Sequence, residues 1–164
     1  MGEMRWWYME DGKAYIRSDA AISKVVAAFL LVSGAWLAPS GVLFITMTED
    51  EISGIRPYEY IQRYFDMDLL GILFLLVSLL QIWLGLGQLI KFLEHKSTIW
   101  ALYVLAGLAG VLLLCLHTAI VILTAESLIT VVRQMVFLGI NMLCITGPGV
   151  FMWIKQIRAA AQTP

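Results

Sequence analysis

Polar side chains interrupt otherwise apolar stretches of this sequence, among them Ser40, Ser78, Gln81, Gln88, His117 and Asn141. Only His117 among them titrates near neutral pH. A neutral imidazole carries one donor and one acceptor, and each needs a partner where water is excluded. Ser78 and Asn141 are the expected partners. Such a set supports three kinds of chemistry. The polar groups can bond from helix to helix and hold a bundle together, or line a path for an ion or small solute. Alternatively His117 is cofactor-binding, as an axial haem ligand with a methionine such as Met142 opposite, or as part of a quinone site. The only other histidine, His95, falls in the turn before that span, at the opposite face, and no buried carboxylate accompanies His117 as a proton relay would require. Interhelical bonding is therefore the expectation, with no cofactor and no metal; haem is the alternative.

Catalytic signatures are missing. The sequence contains no H-E-x-x-H, no G-x-S-x-G, no P-loop and no C-x-x-C. No arginine series is spaced through a span as a voltage sensor needs. Glu49, Asp50 and Glu51 form an acidic run that lacks the ligand spacing of a Ca²⁺ loop, so solvated charge is expected there. Cys115 and Cys144 both fall in apolar runs and read as small core residues. The net charge of -1 argues against nucleic acid as a partner.

The elements that carry these residues are membrane spans. The run from Ile99 to Thr124 contains no Asp, Glu, Lys or Arg. As a helix it rises roughly 39 Å, enough to cross a hydrocarbon core of about 30 Å with some tilt. With 60% hydrophobic and 14% charged residues, the chain as a whole is too apolar for a soluble domain. Spans are expected over about 25–47, 69–90, 99–124 and 131–154. Residues 1–23 read as an interfacial segment in which Trp6, Trp7 and Tyr8 accompany Arg5. Residues 156–164 read as a polar tail. Trp6 stands where a myristoylation signal needs Ser or Thr, and Pro39 after Ala38 argues against a cleaved leader.

Small residues mark where helices come close. Gly34, Ala38 and Gly41 share a face of the first span. In the second span Gly71, Phe74, Ser78, Gln81, Gly85 and Gln88 recur at steps of three and four, which makes one stripe. Tyr103, Gly107, Gly110, Leu114, His117, Val121 and Thr124 make a matching stripe on the third. Pro39 predicts a kink in the first span, and Gly147-Pro148-Gly149 a hinge in the fourth.

Between the first two spans, Thr48 and Glu51 have capping-box spacing, and Pro57 opens a short amphipathic helix. Its apolar face is expected from Tyr58, Ile61 and Phe65, and Glu59 with Arg63 forms an i,i+4 pair. Counting turns inward from this side puts Ser40, Ser78, His117 and Asn141 at one depth, as a single polar cluster.

Orientation follows from the cations. Arg5, Lys13, Arg17, Lys24, Lys91, Lys96, Lys155 and Arg158 fall on one side, and Arg56, Arg63 and Arg133 on the other, 8 against 3. Both termini are expected in the cytoplasm and the acidic loop 48–68 outside. The sequence thus predicts an all-α integral membrane protein of four transmembrane helices in an up-down bundle. It carries an interfacial amino-terminal segment and an amphipathic outer-loop helix. Its expected role is a non-catalytic membrane subunit, with membrane lipid and other subunits or copies of itself as partners. A channel or transporter lined by the second and fourth spans, and a redox module built on His117, are the alternatives.

Overall fold

The computed structural model describes residues 8–10, 13–15, 17–48, 51, 56–90, 97–123 and 128–161. Near the amino terminus, β1 (Tyr8–Glu10) and β2 (Lys13–Tyr15) pair antiparallel, with Tyr8 opposite Tyr15 and Glu10 opposite Lys13. This ribbon stands inside the segment read from sequence as interfacial. Helix α1 (Arg17–Thr46) then begins several residues before the apolar run does. It continues unbroken through Pro39.

A short helix α2 (Arg56–Gln62) follows, with Pro57 in its first turn. Ile61 is buried and Tyr58 half-buried, but Phe65 lies beyond the helix and is exposed, so the expected apolar face is one residue shorter. Arg63 Nη2 reaches Glu59 Oε1 at 3.3 Å. Upstream, Glu51 Oε2 accepts from the Thr48 amide at 2.8 Å and from the Thr48 hydroxyl at 3.0 Å. The amide bond first, then the hydroxyl, holds the Glu51 carboxyl below the ordinary carboxylate range. Glu49 and Asp50 lie outside the described residues.

Helix α3 (Met67–Leu89) starts at an Asp66 cap, whose carboxylate accepts from the amides of Asp68 (3.0 Å) and Leu69 (3.2 Å). Helix α4 (Ser97–Leu123) comes next. The last apolar stretch is built in three pieces. These are α5 (Leu128–Gly139), a π-helical segment (Ile140–Thr146) and α6 (Gly147–Ala161). The irregularity expected at Gly147-Pro148-Gly149 thus lies just ahead of it. Pro148 occupies the first turn of α6, where a missing N–H costs least. The Gly147 amide bonds back to the Met142 carbonyl, five residues away, and the Thr146 hydroxyl donates to the Asn141 carbonyl at 2.8 Å. The carboxyl-terminal residues expected as a polar tail are helical as far as Ala161.

Among the described residues, four helical stretches are long and apolar enough to cross a membrane: Ile22–Thr46, Met67–Leu89, Ile99–Ala119 and Leu128–Arg158. Their packing register is read from the glycines. A Cβ on Gly34 would lie 2.9 Å from the Ser78 carbonyl oxygen, one on Gly41 2.9 Å from that of Gly71, and one on Gly85 2.9 Å from that of Ala27. Contacts recur every seven residues and fall on α3 as they rise on α1, so the pair runs antiparallel, backbone against backbone. Helix α4 meets the last stretch the same way, Gly107 against Thr146, Gly110 against Asn141 and Val104 against Gly149.

Two apolar clusters fill the interior. One contains Val26, Leu30, Leu84, Trp100, Tyr103 and Met152; the other contains Leu37, Phe44, Ile61, Phe74 and Leu114. On α1, α3 and the last stretch, the polar residues Ser33, Ser78, Gln81 and Asn141 fall between the two clusters. Leu79 and Leu86, off the stripe, are exposed, as is Cys115, which is therefore not a core residue.

Candidate functional site

The polar layer is centred on Asn141. Its Nδ2 donates to Ser33 Oγ at 2.7 Å and to the Phe137 carbonyl at 3.0 Å. Its Oδ1 accepts from Gln81 Nε2 at 2.8 Å, and Gln81 Nε2 also reaches the Ala106 carbonyl at 3.0 Å. The Asn141 and Gln81 amides together therefore join groups from all four long helical stretches. Gly110 makes this possible, since a Cβ there would collide with Asn141 Oδ1. The π-helical geometry belongs to the same arrangement, because the Asn141 carbonyl is taken by Thr146.

Two more interhelical bonds flank the layer: Ser78 Oγ to the Gly34 carbonyl at 2.8 Å, and Tyr103 Oη to Gln88 Oε1 at 3.0 Å. Gln81 and Asn141 are 0% exposed and Ser78 1%, so water has no access to them along the stripe. One acceptor, Gln81 Oε1, is buried without a partner among the described residues.

His117 and Ser40 do not belong to this layer. They line a cavity of about 390 Å³ bounded by Trp36, Pro39, Ser40 and Leu43 of α1, Tyr58 of α2, His117 and Val121 of α4, and Thr130, Arg133 and Gln134 of α5. The His117 Nδ1 atom meets the Gln134 amide at 3.3 Å, not Ser78 or Asn141. Its ring packs edge-on to Phe44 and Phe74, at 6.0 and 6.2 Å between centroids. Trp36 stacks on Phe137 with centroids 4.2 Å apart, and the Arg133 guanidinium lies over the Trp36 ring at 5.0 Å.

The single cluster expected from sequence thus separates into two sites. Depth counted in turns from the outer side ignores where contacts fall: His117 lies two turns along α4 from Gly110, where a Cβ would press against Asn141. Met142, considered as a haem ligand opposite His117, is exposed. Sequence reasoning missed Ser33, Trp36, Gln134 and Thr146. Of these, Gln134 had a signal, since Arg133 and Gln134 form a polar pair in an apolar run. Ser33 had none, because a lone serine in a span is common.

Among the described residues, no three His, Cys, Asp or Glu side chains gather as a metal site. Comparison with protein-family models, with curated proteins and with solved structures finds no match for this chain.

Proposed function

We propose that the chain is a four-span up-down bundle acting as a non-catalytic membrane subunit, either in a homo-oligomer or as a small subunit of a larger transport or respiratory complex. Both termini face the cytoplasm and the loop 48–68 faces outside. One observation carries the reading: the stripe that would have to line a path is occupied by helix-to-helix bonds. Ser78 is committed to Gly34, Gln81 to Asn141 and Ala106, and Gln88 to Tyr103. Polar groups used in this way fix the order and register of spans.

Coverage of the spans supports the subunit role. Only 17% of the fourth span's apolar window is buried, against 33, 39 and 44% for the other three. That leaves it the most surface for another membrane helix.

Native mass spectrometry of the protein extracted with its membrane neighbours tests the proposal. The expected result is a defined multiple of the chain mass, or a stoichiometric complex with other membrane chains. A stable lone monomer whose reconstitution makes liposomes permeable to ions would overturn it in favour of a channel. A visible absorption band on the purified protein would favour the redox reading, which rests on His117 facing a cavity.

A further inference from the structure

The cavity beside His117 is rich in hydrogen-bond donors and has no acid among the described residues of its lining. Arg133 is pinned over Trp36, which is itself backed by Phe137, so the cation is positioned without being neutralised. Among the described residues, no carboxylate lies within ion-pair distance of it. Gln134 is 2% exposed. One end of its amide meets His117, and the other has no partner among the described residues. Amide nitrogen and oxygen exchange by a half-turn, so Gln134 can present a donor or an acceptor. Pro39, Leu43 and Val121 add apolar surface to the same lining.

A planar guanidinium matches two oxygens of a phosphate at once, and Arg133 is exposed, so its guanidinium is open to a ligand. We propose that this cavity binds an anionic membrane lipid, its phosphate held by Arg133 with Ser40 alongside, and its glycerol and first acyl carbons against Pro39 and Leu43. A free phosphate ion would leave the apolar surface without a function. The volume lies within the roughly 300–1,000 Å³ usual for small-ligand sites. Leu43, Val132 and Val136 are exposed on the same helices, so an acyl chain can leave the cavity along a lipid-facing surface.

The test is native mass spectrometry of the full chain from nanodiscs of phosphatidylcholine, with and without phosphatidylglycerol. Phosphatidylglycerol should be retained in preference to phosphatidylcholine. Arg133→Gln should lower that retention roughly tenfold or more, the loss expected for a charge-assisted bond. Ser40→Leu, which fills the cavity without changing charge, should lower it as well. Arg63→Gln, at an arginine outside the cavity and already paired with Glu59, should leave it unchanged. Should Arg133→Gln fail to fold, Arg133→Lys keeps the charge but loses the planar fork, and a several-fold loss is expected.

Equal retention of the two lipids, equal losses from Arg63→Gln and Arg133→Gln, or full retention in Arg133→Lys would each overturn the proposal. Displacement of the lipid by millimolar inorganic phosphate would also overturn it, identifying a free-anion site.

Discussion

Buried polar residues in a membrane protein are distinguished by how many partners they would abandon on removal. Asn141 bonds Ser33, Phe137 and Gln81 through its side chain, while the side-chain bond of His117 among the described residues is to Gln134. Single interhelical bonds in lipid average only about 0.6 kcal/mol, so an isolated pair contributes little. Loss of a buried partner costs more, on the order of 1–3 kcal/mol, because a polar group is left unpaired. Asn141→Leu should therefore destabilise the bundle clearly more than His117→Leu. His117→Gln, which keeps a donor and an acceptor near Gln134, should unfold with nearly the native midpoint. Denaturation in mixed micelles measures all three. If His117→Leu proves as costly as Asn141→Leu, the cavity is a structural centre and the ranking by partners is wrong.

At the scale of helices, the seven-residue register of α1 on α3 sets the tolerance for bulk. A Cβ on Gly85 would lie 2.9 Å from the Ala27 carbonyl oxygen, and backbone cannot yield as a flexible side chain does. Gly85→Leu should consequently force the helices apart and reduce the yield of folded protein, while Leu79→Ile and Leu86→Ile, on the exposed face, should be nearly silent. Thermal stability and size-exclusion profiles of the three variants give the comparison. An unaltered Gly85→Leu would mean that α1 and α3 do not meet along this stripe.

This face was legible in the sequence because glycine, serine and glutamine at steps of three and four stand out against aliphatic neighbours. The π-helical segment was not legible. It accompanies the Thr146 bond to the Asn141 carbonyl and the Asn141 hub, and the hub depends on Ser33 and Gln81, distant residues that no local spacing reveals. Proline drew attention to the correct region, one turn late. The separation of His117 from Asn141 was hidden for a similar reason, since depth in a bundle is set by which residues touch across helices.

For the whole molecule, the testable consequence of the proposed function is sidedness. Eleven cations divide 8 to 3 between the two ends of the spans, a bias that decides orientation when the loops are short. The antiparallel register of α1 on α3, and of α4 on the last stretch, agrees with a chain that reverses direction at each link. Arg63 and Arg158 are exposed, so each can be replaced without disturbing a buried contact. With Cys115 and Cys144 changed to alanine, Arg63→Cys should react in intact cells with a thiol reagent that cannot cross the membrane. Arg158→Cys should react only after permeabilisation, and Glu94→Cys, in the link between the second and third spans, should behave like Arg158→Cys. The reverse pattern would keep four spans but invert the protein. Labelling of Glu94→Cys together with Arg63→Cys from outside would be a different failure, placing both ends of the second span on one side and removing it as a crossing.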